Sequence, residues 1–306
     1  MEMLLRNTLL FLAKSQAANR WAQRYGLHFG AQRFVAGQEI PDALAVTRTL
    51  NAAGIMVALD HLGESVFTEE EAVNATRDCL DTLDAIAEAE VKSRLSIKLT
   101  QLGLDIDRDL CRRNVTQILQ KAQAYGNFVR IDMEDYAHNE VTLDIFRELH
   151  TDFPDTLGLV IQAYLYKSER DVEQLGAEGA NLRLVKGAYK EPRTVAFPEK
   201  ADVDRNFIAL IERHLASGNF TAIATHDEAV IDHAKLFIEK NNIPRDRFEF
   251  QMLYGIRTHL QQALVLEGYA VRVYVPFGRD WYAYFMRRLA ERPANVGFIV
   301  RSMVKA

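Results

Sequence analysis

The chain has 306 residues, 48% of them apolar and 26% charged, and a formal net charge of −5. That length buries a sizeable core and fits one large barrel or two ordinary domains. An acidic chain without a local basic stripe argues against nucleic-acid binding, and no run approaches the roughly 18 apolar residues of a membrane-spanning helix. Cys79 and Cys111 lie far apart on helical segments with no C-x-x-C or metal-ligand spacing, and read as structural thiols of a reducing compartment.

The chain opens with MEMLLRNTLLFLAKSQA. Arg6, Asn7 and Lys14 interrupt its apolar patch, and Glu2 spoils the basic start of a signal peptide. It reads as an amphipathic helix packed on the rest of the protein. Residues 1–54 look helical, broken at Gly26, Gly30, Gly37 and Pro41. From residue 55 short apolar runs alternate with helical stretches. The predicted strands are IMVALD (55–60), RLSIKL (94–99), FVRIDM (128–133), GLVIQA (158–163), LRLVKG (182–187), TAIAT (221–225), FEFQML (248–253) and VRVYVP (271–276). Helical patterns such as TEEEAVNATRDCLDTLDAIAEAE and DVDRNFIALIERHLAS lie between them. Eight such units predict a (βα)8 TIM-type barrel over 55–306, carrying 1–54 as an N-terminal helical appendage, within one structural domain. The alternative is an open doubly wound sheet.

Side chains alternate faces along a strand. One parity here is apolar: Val57 and Leu59, Leu95 and Ile97, Val129 and Ile131, Phe248 and Phe250, Val271, Val273 and Val275. The other ends in Asp60, Lys98, Asp132, Gln162, Arg183, Thr225, Gln251 and Tyr274, preceded by Ser96, Arg130, Glu249 and Arg272. The apolar parity must face the helices, so the lumen is polar near the C-terminal mouth, where barrel enzymes place their chemistry. Buried polar groups must bind each other or a ligand. An internal salt-bridge network, for example Arg130 with Asp132 or Glu249, is the structural alternative for any one pair.

The phosphate-binding glycine loops, H-E-x-x-H and G-x-S-x-G are absent from the sequence, which disfavours metal and serine hydrolysis. RLVKGAYKEP (183–192) places Lys186 beside Gly187 and Ala188, where a flat ligand can approach the backbone; a small-residue turn with a solvated lysine is the plain alternative. ATHDE (224–228) puts His226 at a strand end, with Asp227 as a helix cap. In YFMRRLAERPANV (284–296), a pitch of about 100° per residue brings Tyr284, Arg287, Arg288 and Glu291 to one helix face. Phe285 and Leu289 fall on another and can dock. Paired guanidinium groups beside a tyrosine suit a small carboxylate. Read alone, the stretch is better explained as a solvated charged face.

In chain order, SIKLTQLG (96–103), VRIDMED (129–135), VIQAYL (160–165), LRLVKGAY (182–189), ATHD (224–227), FEFQML (248–253), RVYVPFG (272–278) and YFMRRLAERPAN (284–295) resemble the proline dehydrogenases of the short monofunctional bacterial type. The resemblance implies a distorted barrel with noncovalent FAD at its C-terminal mouth. It implies oxidation of L-proline to Δ1-pyrroline-5-carboxylate by hydride transfer to flavin N5, with electrons passed to a quinone, as the first step of proline catabolism to glutamate. It further implies a cytoplasmic protein in at most peripheral contact with the membrane, and pyrroline-5-carboxylate dehydrogenase as a partner.

Carried over residue by residue, Lys98, Arg287 and Arg288 would hold the proline carboxylate, and Tyr274 and Tyr284 would pack on the ring. Asp132 would fix Lys98 by an ion pair. Met133, Gln162, Arg183, Val185, Lys186, Gly187, Ala188, Thr225, His226, Gln251 and Leu253 would line the FAD, with Arg183 stabilising negative charge on the flavin. Glu291 would brace the arginines, and Glu64, in the loop HLGES (61–65), would close a lid by reaching Arg288. No general base for the proline amine is apparent, so activity rising with pH is expected. Two other readings of the same residues are a Schiff-base lyase with Lys186 or Lys98 as nucleophile and a non-enzymatic small-ligand barrel.

Overall fold

The computed structural model describes residues 31–63 and 66–291, with the side chains of Arg287, Leu289, Ala290 and Glu291 outside the description. The expectations for the N-terminal amphipathic helix, for Glu64, and for the side chains of Arg287 and Glu291 therefore lie outside the described residues.

Eight strands form where the apolar alternation predicts them: β1 (Met56–His61), β2 (Ser93–Ile97), β3 (Val129–Ile131), β4 (Leu157–Gln162), β5 (Asn181–Val185), β6 (Thr221–Ala224), β7 (Phe248–Leu253) and β8 (Val271–Phe277). They close in sequence order into one barrel, and every neighbouring pair, β8 with β1 included, is parallel. The helices are α1 (Ile40–Ala52), α2 (Glu69–Glu88), α3 (Arg108–Ala124), α4 (Tyr136–His150), α5 (Ser168–Ala177), α6 (Lys200–Ala216), α7 (Glu228–Lys240), α8 (Thr258–Leu266) and α9 (Trp281–Glu291). Several start on side-chain caps that satisfy otherwise orphaned amides. Thr68 and Glu71 form a capping box on α2, while Asp107, Asp135 and Asp227 cap α3, α4 and α7.

The parity argument holds in three dimensions. Leu59, Leu95, Ile97, Val129, Ile131, Phe250 and Val273 are buried against helix residues such as Leu83, Ile118, Phe146 and Phe207 in one continuous core. Each such side chain contributes about 1.5–3 kcal/mol when fully buried. Expected strand ends overshoot at β2 and β3. Leu99 begins a turn closed by the Leu102 amide, so Lys98 sits just past the ladder. Asp132 also lies beyond its strand, although its amide still donates to the Ile97 carbonyl at 2.8 Å.

A second cluster joins Ala31, Phe34 and Val35 to Leu62 and to Trp281, Tyr282, Tyr284, Phe285 and Met286 of α9, with Ile256 against it. Leu62 follows β1 and Ile256 follows β7, which places α9 at the C-terminal ends of the strands. The 31–37 segment is tied there by backbone: the Ala36 amide donates to the Pro276 carbonyl at 2.9 Å and Gly278 to Gly37 at 3.0 Å. Gly255, at φ +72°, lets this segment approach, since a Cβ there would lie 1.7 Å from the Arg33 carbonyl oxygen.

Candidate active site

Four strands deliver a buried ionic network to the C-terminal mouth. From β5, Arg183 donates through Nη1 to Asp132 Oδ1 at 2.7 Å, through Nε to Gln251 Oε1 at 2.6 Å and through Nη2 to Ser96 Oγ at 3.1 Å. From β8, the Tyr274 hydroxyl donates to Asp132 Oδ2 at 2.6 Å, and the Arg183 guanidinium lies 5.3 Å from the Tyr274 ring centre. The register explains the grouping: Tyr274 stands opposite both Ala58 and Leu253, and Asp60 opposite Ser96. Burial, with Asp132 and Asp60 nearby, pushes the Tyr274 phenol well above its usual range, so it remains a hydrogen-bond donor.

The expected ion pair of Lys98 with Asp132 is present at 3.9 Å, but it is the longer of two. Lys98 Nζ bonds Asp60 Oδ1 at 2.7 Å, while Asp132 Oδ2 is 3.9 Å away and the Tyr274 hydroxyl 3.4 Å away. Asp132 is occupied by Arg183 and Tyr274, so the short partner of Lys98 is Asp60. Burial raises the Asp60 carboxyl above the usual carboxylate range, with Lys98 pulling the other way. Strand parity put Asp60 in the lumen but assigned it no role. Parity likewise places Ser96 in the lumen, where it helps hold Arg183. The alternative pairing of Arg130 with Asp132 or Glu249 is replaced too: Arg130 donates to the carbonyls of Leu159 and Asn181 at 3.1 and 3.0 Å and to Asn181 Oδ1 at 2.5 Å.

A neighbouring arc gathers the residues expected to line a cofactor. Gln162 donates to the backbone carbonyls of Met133 and Glu134 at 3.3 and 3.0 Å. Its Oε1 is buried and accepts no hydrogen bond among the described residues. Such an acceptor is costly to bury and calls for a donor. Lys186 is not a solvated lysine; it bonds Asp204 at 2.6 Å and Asp227 at 2.7 Å. The Asp227 amide in turn donates to Thr225 Oγ1 at 3.1 Å. His226 Nε2 accepts the Leu253 amide at 2.9 Å, which fixes its proton on Nδ1 and joins the ends of β6 and β7. Val185 and Lys186 use their carbonyls to bind the amides of Ala163 and Tyr164. Gly187 and Ala188 are exposed. The protein itself accounts for the glycine: φ is +109°, and a Cβ would meet the Tyr164 ring at 2.2 Å.

On α9, Tyr284 is buried and the Arg288 guanidinium lies 5.1 Å from its ring centre, a stacked pair one turn apart. Both lysines considered as Schiff-base nucleophiles are thus held in ion pairs, Lys98 by Asp60 and Lys186 by two carboxylates.

The proline dehydrogenase family model matches residues 43–301. The chain is 46% identical over 303 residues to proline dehydrogenase 2 of Bacillus subtilis (strain 168), covering 99% of this chain and 100% of that one. It is 47% identical over 279 residues to the proline dehydrogenase of Deinococcus radiodurans, covering 90% of each. The crystal structure of proline utilization A from Bdellovibrio bacteriovorus, inactivated by N-propargylglycine, superposes with a TM-score of 0.83 at 26% identity. That match covers 95% of this chain and 36% of the other, so this chain spans about a third of that longer protein.

Proposed function

This chain belongs to the proline dehydrogenase family and is an oxidoreductase of the CH–NH group of proline; we propose that it converts L-proline to Δ1-pyrroline-5-carboxylate at the C-terminal mouth, with noncovalent FAD as cofactor and a quinone as final acceptor. The observation that carries the site is the Asp60–Lys98 and Asp132–Arg183 pairing at the strand ends, two buried cations beside a phenol kept protonated.

The residues present fit a flavin. Gln162 offers a buried acceptor with no donor among the described residues, and Arg183, Lys186, Thr225, His226, Gln251 and Leu253 come from adjacent strand ends. These residues, with Met133, Val185, Gly187 and Ala188, would hold the FAD. When bound, FAD supplies a hydride acceptor and a route for electrons to the quinone. Lys98, with Arg287 and Arg288, grips the proline carboxylate, and Tyr274 and Tyr284 bound the ring. Asp132 orients Arg183 and Tyr274 at once, so that the cofactor side and the substrate side share one carboxylate. Arg183 places a fixed positive charge where electron density accumulates, a preorganised field that needs no rearrangement during the reaction. Glu291 steadies the arginines and Glu64 closes over bound proline.

Of the segment 1–54 expected as an appendage within one domain, the described residues 31–54 are tied to the barrel through the Ala36–Pro276 and Gly278–Gly37 backbone bonds. Pyrroline-5-carboxylate dehydrogenase consumes the product. Contact with the quinone is peripheral, at the cytoplasmic face of the membrane; among the described residues no helix is long and apolar enough to cross it.

The test is proline-dependent reduction of an artificial acceptor by wild type and by Arg288→Met. Wild type should turn over, and the variant should show a KM for proline raised about tenfold or more with FAD retained, as loss of a charged hydrogen bond requires. A wild-type KM in the variant removes Arg288 from the site, and no turnover in the wild type overturns the reading.

A further inference from the structure

The opposite, N-terminal mouth of the barrel carries charge that the reaction does not use. Arg94, Arg130 and Arg272 share this end of the barrel with one lumenal carboxylate, Glu249, which Arg272 contacts directly and Arg94 only at 3.9 Å. Arg272 takes that carboxylate by two hydrogen bonds, Nε to Oε1 at 2.8 Å and Nη2 to Oε2 at 3.0 Å. Gln251 Nε2 adds a third at 2.5 Å, again to Oε1. Arg272 holds the carboxyl at about 2 in spite of burial. Arg130 is satisfied by the backbone and side chain of the β4–β5 edge. Arg94 is left over. Its guanidinium makes no hydrogen bond among the described residues, and its nearest carboxylate oxygen, Glu249 Oε1, is 3.9 Å away and already has two donors. Phe128 and Phe220 lie 4.7 and 5.7 Å from it by ring centre, which orients the plane without satisfying any N–H.

Arg94 lines an open cleft of about 630 Å³ at the starts of β8, β1, β2 and β3, together with Arg272 and Lys92. Glu90 and Asp155 also line this cleft and oppose any anion, so binding must rest on Arg94 and Lys92. Nη1 is buried on the Glu249 side, while the guanidinium as a whole is partly exposed, so it is its outward edge that is open to an oxyanion. We propose that this cleft binds a small oxyanion, a phosphate or a carboxylate, on Arg94, with Lys92 at its rim. The site lies at the other end of the barrel from the proposed reaction, and its occupancy does not depend on turnover.

The probes are sodium phosphate and sodium acetate, each titrated into the full-length FAD-loaded protein against sodium chloride of equal ionic strength, read as thermal midpoint. At least one should raise the midpoint saturably, and the one saturating at lower concentration identifies the oxyanion. The effect should persist with proline saturating, since the carboxylate grip at the other mouth is then filled. Arg94→Gln should weaken the titration about tenfold or more, the worth of a charge-assisted hydrogen bond. Lys92→Gln, an exposed substitution that leaves the core intact, should weaken it about two- to fivefold. A wild type with no saturable shift, a shift abolished by proline, or titrations unchanged in both variants overturns the proposal.

Discussion

Asp60 and Asp132 each hold one lumenal cation of the mouth. Asp60 holds Lys98 at 2.7 Å, and Asp132 holds Arg183 at 2.7 Å while accepting the Tyr274 hydroxyl. Asp60→Asn should therefore release Lys98 and raise the KM for proline about tenfold, with FAD content unchanged, because hydrogen bonds to charged groups are worth about 1.5–3 kcal/mol. Steady-state kinetics with flavin quantification checks it; an unaltered KM would return the positioning of Lys98 to Asp132. A second residue governs pH dependence away from the site. His214 is fully buried, with Nε2 on the Ala180 carbonyl at 3.2 Å and Nδ1 against the Thr221 hydroxyl at 2.8 Å. Burial lowers its pKa to about 4. An unfolded chain binds that proton near its ordinary value of about 6.5, so the stability it contributes is full above that pH. It is lost as pH falls from there to about 4, by an amount on the order of 3 kcal/mol. His214→Gln should flatten the stability profile over that window in urea titrations. An unchanged slope would show that other groups set it. The sequence disclosed which side chains share the lumen, because parity is local. It did not disclose that Lys98 prefers Asp60, 38 residues away, because that choice depends on barrel register and on Asp132 being taken by Arg183.

At the scale of elements, α9 shows what a helical wheel can and cannot supply. The wheel grouped Tyr284 with Arg288, and the two do stack, but it made that face the polar one, whereas Tyr284 belongs to an apolar cluster with Trp281 and Phe285. That cluster is completed from the other end of the chain by Ala31, Phe34 and Val35, a contact no periodicity within 281–291 reveals. The Phe34 and Phe285 rings lie 6.2 Å apart, and Phe34 is almost wholly buried. Phe34→Ala should cost about 3–5 kcal/mol in stability and, because it loosens the helix carrying Arg288, should also raise the KM for proline while FAD stays bound. Thermal unfolding together with kinetics measures both. A stability loss with unchanged KM would mean that α9 keeps its place without this support. The strand ends follow the same logic. The runs around Lys98 and Asp132 read as strand to the last apolar residue, yet the chain leaves the ladder early to present these side chains at the rim.

For the whole molecule, eight strand–helix units pointed to a barrel with an open doubly wound sheet as the alternative; the strands do close, and the polar parity faces the lumen. The two mouths then differ in chemistry. The C-terminal one pairs Lys98 with Asp60 and Arg183 with Asp132, and the N-terminal one seats Arg272 on Glu249 with Arg94 beside it. The pairing at each end was not legible, because like and unlike charges alternate along the same strands and only closure decides which meet. The central claim is that the C-terminal mouth holds a flavin that proline reduces. The most direct measurement is the visible absorbance spectrum of the purified protein before and after anaerobic addition of L-proline. The account predicts flavin bands that bleach with proline and return with an electron acceptor. A colourless protein that gains no flavin bands on addition of FAD, or bands that proline leaves untouched, would contradict it.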